Sequence, residues 1–477
     1  MQNKNILFNF VQKSIDDGPF LANNNICFEN IRLRNRNQFD KIKKQIDKFL
    51  NGTANNRFVY LSGIRGIGKT TLMFQLFNYL IDAGVNKDRI LYFSADNLKQ
   101  LLNHDIGDVI EAYVNDYYGL FSDVDEKIFI FVDEVQEFPD CFNQAKNIYK
   151  ASDNIFLFFT GNREIVNEDS YLSSCVQKLD ILPLAYGEYL SINYGVKIDK
   201  KFPSNIMNTI FTGNLNMLQN LEKTFYKSFN NRDLFMNKSL EHFLLCGSFP
   251  EAMNMNVYWG HKHIYNNLIN IIEKDIFLNG PFLPDTRDKI YRIMSFLAFQ
   301  KSSNFTHGGF AKFVKLSYSH LFKVLDYIEN LNLIFHIKPY EGKKGIRKSR
   351  SYYFTSPNFH AAINSQIGQF TPKDVKYLEV LVESYIASTL FRMKNTFQRP
   401  FEIYVPHGKK RANFMIISQN NKIIPIEIAF GRKPELNIIN TIEKYGCEYG
   451  VVISDAITSV RKSHDLIHIP INTFSLI

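Results

Sequence analysis

The chain has 477 residues, with 56 Lys and Arg against 47 Asp and Glu, a formal net charge of +9. Hydrophobic residues at 45% and charged residues at 22% exclude a mainly disordered or fibrous protein, because this balance supports a buried core. The length fits about three domains, and the mild charge permits an anionic partner without requiring one.

Five scattered cysteines (Cys27, Cys141, Cys175, Cys246 and Cys447) never form a C-x-x-C pair, which argues against a disulfide framework or zinc knuckle and for a reducing compartment. The longest apolar runs, Ile128–Val132 and Ile155–Phe159, fall far short of the ~20 residues that span a bilayer. The N-terminal stretch MQNKNILFNFVQK is too weakly apolar for a signal peptide. The expectation is a cytoplasmic protein without a membrane segment.

In chain order, the basic stretch Phe28–Arg36 leads into FDKIKKQIDKFL, where Phe39, Ile42, Ile46 and Leu50 form a helical packing stripe. Phe58–Ser62 then reads as a short buried strand and Lys69–Leu80 as a helix with Leu72, Leu76 and Leu80 on its apolar side. Between them Gly63, Ile64, Arg65, Gly66, Ile67, Gly68, Lys69 and Thr70 fit G-x-x-x-x-G-K-[ST], followed by Thr71. Glycines let backbone N–H groups close around the β-phosphate of ATP, and the helix N-terminus adds positive potential. Lys69 is expected to reach the β- and γ-oxygens and Thr70 to coordinate Mg²⁺.

KIFIFVDE at 127–134 has the continuous apolar character of a central parallel strand. Its end supplies Asp133 to hold Mg²⁺ and Glu134 to orient and deprotonate the attacking water. A further strand, Asn154–Phe159, ends in Thr160, Gly161, Asn162 and Arg163. Thr160 or Asn162 is placed to sense the γ-phosphate, and Arg163 to stand as a cation near a phosphate, in its own subunit or a neighbour's.

Here the chain resembles bacterial and archaeal AAA+-type ATPases, close to the archaeal-ATPase branch, that carry a winged helix and a restriction-endonuclease-like C-terminal domain. The resemblance rests on Thr160-Gly161-Asn162, on LDILPLAYGEYL at 179–190, on Cys246-Gly247-Ser248-Phe249-Pro250-Glu251 and on Lys274-Asp275-Ile276. The family's G-R after the sensor strand is replaced by Gln177 and Lys178, so no trans-acting arginine is assigned there. The resemblance implies an α/β fold: a P-loop AAA+ parallel-sheet core at 1–200, a helical lid at 201–285, a winged helix at 286–360, and an α/β nuclease-like domain at 361–477.

Residues 288–356 themselves read as helices at Tyr291–Phe299 and Leu316–Leu331, then strands Leu333–Lys338 and Ser351–Thr355 around a basic turn. Lys343, Lys344, Arg347, Lys348 and Arg350 in that turn would hold duplex DNA phosphates, or the module would pack against protein. In the nuclease-like stretch, the PD-(D/E)xK pattern implies a metal-binding Asp and Glu and a water-steering Lys. Glu383 and Glu427 remain, but Asn413 takes the Asp position and Ala429 the Lys position, so a retained fold without cleavage is expected. Lys433 is close enough to substitute for the missing Lys, and Lys409, Lys410, Arg411 and Arg432 keep the region basic.

The expected activity is Mg²⁺-dependent ATP hydrolysis coupled to binding of DNA or a partner protein, with a homo-oligomer left open. The alternatives are a nucleotide-gated switch with little turnover, suited to defence against mobile elements, and an ATP-regulated nuclease.

Overall fold

The computed structural model describes residues 2–28, 31–102, 104–162, 174–227, 229, 232–278, 281–299, 307–340, 350–396, 400–408, 410–431 and 435–477. The chain divides into two compact units, Met1–Leu182 and Pro183–Ile477.

The first unit opens with helix α1 (Gln2–Asn25), a short antiparallel pair of Cys27–Phe28 with Ile31–Arg32, and α2 (Asn37–Leu50). The buried stripe of α2 is Phe39, Ile42, Ile46 and Phe49, so Phe49 rather than Leu50 completes it. Positions 49 and 50 flank the stripe on opposite sides at similar angles, and Leu50 is only partly buried.

Five strands follow: β1 (Phe58–Ser62), β2 (Ile90–Ser94), β3 (Ile128–Asp133), β4 (Ile155–Gly161) and β5 (Val176–Asp180). They form a parallel sheet in the order β2-β3-β4-β1-β5. Every residue of β1, β3 and β4 is buried, as a parallel sheet covered on both faces requires. Side chains alternate between two layers. Phe58, Ile130, Leu157 and Phe159 share one core with α1 and with α5 (Ile106–Tyr117) and α6 (Cys141–Ala151). Phe129 and Phe156 meet Phe49 of α2 on the other face, and Phe131 meets Phe77 of α3 (Lys69–Asp82). A shorter helix, α4 (Ala95–Leu101), follows β2 and is capped by Ser94. Strand β4 runs past Phe159 to Gly161, because Leu61 and Ser62 of β1 hold Thr160 and Gly161 in register.

The second unit begins with α7 (Tyr186–Tyr194), α8 (Phe202–Thr212), α9 (Asn216–Tyr226) and α10 (Arg232–His242), which runs into a π-helical turn at Phe243–Gly247. Helix α11 (Val257–Asn270) continues into a second π-helical stretch at Ile271–Leu278. Then come α12 (Arg287–Phe299), α13 (His307–Val314) and α14 (Tyr318–Asn330), followed by an antiparallel pair, β6 (Ile334–Pro339) and β7 (Ser351–Phe354).

After α15 (Pro357–Gln366) and α16 (Val375–Thr396) the chain forms β8 (Phe401–Val405), β9 (Phe414–Ser418), β10 (Ile423–Ala429), α17 (Glu435–Tyr445), β11 (Gly450–Ser454), β12 (Arg461–Ser463), β13 (Leu466–Pro470) and α18 (Ile471–Phe474). The sheet order is β12-β13-β11-β10-β9-β8-β6-β7. The β6–β7 hairpin is therefore continuous with the C-terminal sheet: Tyr404 and Val405 of β8 pair in parallel with Lys338 and Pro339.

One hydrophobic core joins the early helices of this unit to that sheet, with Tyr186, Phe202, Phe225 and Phe243 packed together with Ile426, Ile467 and Phe474. Polar ties reinforce it. Tyr449 donates its hydroxyl to the Ile210 carbonyl at 2.7 Å, and the Glu222 carboxylate accepts the Val460 N–H at 2.9 Å. Among the described residues no helix is long and apolar enough to cross a membrane, and all five cysteines are free thiols.

Candidate nucleotide-binding site

The loop between β1 and α3 is built by backbone geometry. Gly66 and Gly68 adopt φ of 78° and 88°, the left-handed region that favours glycine. At Gly63 a Cβ would stand 2.5 Å from the Ile181 carbonyl oxygen, so no larger residue fits. Ile64 and Ile67 are buried and anchor the loop from beneath. Gly63 N–H donates to the Gly161 carbonyl at 3.0 Å, tying the start of the loop to the end of β4. Lys69 is 4% exposed, and its ammonium donates to the Gly63 and Ile64 carbonyls at 2.9 and 3.1 Å. Thr70 and Thr71 follow in the first turn of α3.

Asp133 ends β3 beside this loop. Thr70 donates its hydroxyl to Asp133 Oδ2 at 2.6 Å, and Thr160 donates to Oδ1. Burial pushes the Asp133 carboxyl above its ordinary value; the Glu134 carboxylate adds to this and the two hydroxyls oppose it. Glu134 is a non-glycine residue at φ 58°, a strained conformation that costs about 1–3 kcal/mol and is typical of functional sites. Its N–H donates to Thr160 Oγ1 at 3.1 Å. Lys69 Nζ lies 3.6 Å from one carboxylate oxygen and Arg65 Nη1 3.5 Å from the other. Burial would raise the Glu134 carboxyl, but these two cations outweigh it and hold the group below its usual value.

The loop residues Gly63, Ile64, Arg65, Gly66, Ile67, Gly68, Lys69 and Thr70 thus converge with Asp133, Glu134 and Thr160 at the carboxyl edge of the sheet, where open α/β sheets bind ligands. Asn162, just past β4, is 3% exposed, and among the described residues neither its amide nitrogen nor its amide oxygen has a hydrogen-bond partner. Arg163 lies outside the described residues.

Two residues that sequence reasoning passed over also shape the site. Arg36 is 6% exposed and donates to the Ile67 carbonyl of the loop at 2.7 Å and to the Leu182 carbonyl at 2.9 Å. Gln136 donates to the Glu134 carboxylate at 2.5 Å. The only available signals were an arginine within a basic stretch and a glutamine two residues past the carboxylate pair, and neither residue type is specific.

In the second unit, Asn413 donates its amide to Glu383 at 3.2 Å and accepts the Ile428 N–H at 2.9 Å. Glu427 is 1% exposed and accepts from Asn437 at 3.3 Å, while Ala429 is buried at the end of β10. Lys343, Lys344, Arg347 and Lys348 lie outside the described residues, as do Lys409, Arg432 and Lys433. Arg350 is paired with Asp326 at 3.1 Å and lies over the Phe322 ring. Arg411 is half-buried, donates to the Pro406 carbonyl, and is lowered by burial.

Residues 55–190 match the family described as AAA domain. The phosphate loop, Asp133, Glu134 and Thr160 of the first unit's parallel-sheet α/β fold all fall inside the matched segment. Residues 237–359 match a domain of unknown function, DUF8612. Over 449 residues the chain is 28% identical to Uncharacterized protein MJ1637 of Methanocaldococcus jannaschii, covering 93% of this chain and 89% of that one.

Similar solved structures include the ORC1 protein of Aeropyrum pernix in complex with DNA, at 13% identity, 72% of this chain, 96% of that chain and a TM-score of 0.33. The ORC2 protein of the same organism in its ADP form is similar at 11% identity, 77% and 98% coverage and a TM-score of 0.33. AMPPCP-bound DnaA of Aquifex aeolicus is similar at 14% identity, 63% and 90% coverage and a TM-score of 0.26. Scores of this size do not establish a shared overall arrangement.

Proposed function

We propose that the first unit binds ATP with Mg²⁺ and hydrolyses it, and that the second unit converts nucleotide state into binding of DNA or a partner protein. The observation that carries this reading is the convergence of Lys69, Thr70, Asp133 and Glu134 around one glycine-built loop. The loop N–H groups and Lys69 would take the phosphates. The Thr70 hydroxyl and Asp133 carboxylate are hard oxygen donors of the kind Mg²⁺ accepts. When bound, that ion neutralises charge developing on the β- and γ-phosphates. Glu134 orients the attacking water and receives its proton. Thr160 fixes Asp133 and the Glu134 backbone together, and Asn162 faces the γ-phosphate as a sensor of nucleotide state.

The test is a pair of variants. Lys69→Ala should lose nucleotide binding, and Glu134→Gln should retain ATP without turnover. If both hydrolyse ATP like the parent, the site is assigned wrongly.

A second reading, a nucleotide-gated switch with little turnover, is favoured by one observation. Lys69 and Arg65 hold Glu134 below its ordinary value, which makes it a weak base. Tight ATP binding with a rate near background would select this reading.

For the second unit, three helices followed by the β6–β7 hairpin support a winged helix, with the basic run at 343–350 as its phosphate contact. Neutralising Lys343, Lys344, Arg347 and Lys348 should weaken duplex binding and flatten its salt dependence. An unchanged slope would assign the module to protein contacts. The Asn413 and Ala429 substitutions support a nuclease-like fold without cleavage.

A further inference from the structure

We propose that Gln136 is a positioning residue for ATP hydrolysis: its amide N–H holds the Glu134 carboxylate while its carbonyl oxygen accepts a hydrogen bond from the attacking water. This deepens the reading of Glu134 as base and rests on it.

Gln136 sits in the 3₁₀ turn Val135–Glu137 that directly follows Glu134. Its Nε2 donates to Glu134 Oε2 at 2.5 Å, which fixes the carboxylate in addition to the backbone restraint supplied by Thr160. Its Oε1 is buried and makes no hydrogen bond among the described residues. That oxygen lies near Gly161 at the end of β4, where a Cβ would stand 3.2 Å from it and closer still to the Tyr60 hydroxyl. The bare glycine leaves room first for the Tyr60 hydroxyl and, beside it, for the carboxamide. Asn162, next in the chain, likewise keeps both amide atoms without a partner among the described residues.

A buried polar atom left without a partner is destabilising to a fold. Three such atoms, one on Gln136 beside Glu134 and two on Asn162, call for polar partners that apolar packing does not supply. An O–H donor next to Glu134 satisfies Gln136 Oε1, and the attacking water is the O–H donor that hydrolysis supplies there.

In the step itself the water oxygen bonds to the γ-phosphorus as the bond to the β–γ bridging oxygen breaks. The electron pair of the broken bond leaves on ADP, and the water proton passes to the Glu134 carboxylate. Gln136 gains and loses nothing. It contributes a donor to one partner and an acceptor to the other, a pairing that an amide has and a carboxylate lacks.

The experiment compares full-length Gln136→Ala and Gln136→Glu with the parent and with Glu134→Gln. It measures steady-state ATPase kinetics and the affinity for a non-hydrolysable ATP analogue. Both Gln136 variants should lose about 100-fold in kcat, with KM and analogue affinity close to parental values. Gln136→Glu matters most, because it preserves shape while replacing the donor by a repelling acceptor. Parental kcat in that variant, or a loss expressed in KM alone, would reduce Gln136 to a packing residue and overturn the proposal. A parent no faster than Glu134→Gln would instead overturn the reading of Glu134 as base, and this assignment with it.

Discussion

Thr70 and Asp133 come from different elements, 63 residues apart in sequence, and their oxygens meet at 2.6 Å. The hydroxyl at the start of α3, which follows β1, meets the carboxylate at the end of β3, and β1 and β3 are the two strands that flank β4. With Thr160 donating to the second carboxylate oxygen, Asp133 is satisfied on both sides although it is buried. A group so placed is an oriented acceptor for a hard cation.

The first prediction follows from this pair. Thr70→Ala and Asp133→Asn should both lose most of the Mg²⁺-dependent tightening of ATP binding, by about 10- to 100-fold. Binding measured in chelator should change little. Titration of an ATP analogue with and without Mg²⁺ checks this, and an unchanged Mg²⁺ effect in both variants would remove the pair from the metal site.

This part of the site was legible in the sequence because its signal is local. The glycine spacing, Lys69 and Thr70 lie within eight residues, and Asp133 closes an unmistakably apolar strand. Arg36 and Gln136 were not legible, because their roles exist only after folding. Arg36 reaches a carbonyl 31 residues away and another 146 residues away. Gln136 needs the left-handed Glu134 to turn back toward the carboxylate. The same limit applied to the β6–β7 hairpin. Its two strands could be read locally, but the pairing of β6 with β8 joins Lys338 to Tyr404, 66 residues downstream. The Phe49 stripe was missed more simply, because a leucine four residues past Ile46 fits a helical repeat as readily as a phenylalanine three past.

Asn358 supports the second prediction. Its amide donates to the Phe243 and Leu244 carbonyls at 2.9 and 2.8 Å, and its oxygen accepts the Ser248 N–H and hydroxyl at 2.8 and 2.6 Å. A π-helical turn leaves those carbonyls without their usual partners, and Asn358, fully buried, replaces them. Asn358→Leu should cost about 3 kcal/mol through several orphaned groups, whereas Ser248→Ala should cost about 1 kcal/mol. Denaturant unfolding of the second unit distinguishes them; equal effects would show that the amide is not the anchor.

A pH dependence is expected from His263. Its Nε2 lies 2.5 Å from Glu251 Oε2. The hydrogen bond to Glu251 raises the imidazole above its ordinary 6.5, with burial opposing. A raised folded-state value means that the pair stabilises fully below the unfolded value. The contribution is then lost as pH rises through the folded one. Unfolding midpoints followed from about pH 6 to about pH 8 should therefore fall in the parent more than in His263→Gln. Parallel slopes in the two proteins would show that the pair carries no linkage.

The last prediction concerns the contact of Asn413 with Glu383. The Asn413 amide donates to one carboxylate oxygen while its carbonyl accepts the Ile428 N–H, so a neutral side chain ties α16 to β10. Glu427 lies one residue before Ile428 in the chain and is itself buried. Asn413→Asp would remove the donor and set a new carboxylate against Glu383. At neutral pH this should destabilise the second unit by about 1–3 kcal/mol. The loss should shrink as the pH falls and the new carboxyl protonates. Mn²⁺ should recover part of the stability by occupying the restored carboxylate pair. Cleavage of duplex DNA should still be absent, because Ala429 offers nothing to steer a water. Thermal unfolding with and without Mn²⁺, run beside a cleavage assay, checks each step. A variant as stable as the parent in chelator would show that the Asn413 amide does not hold Glu383.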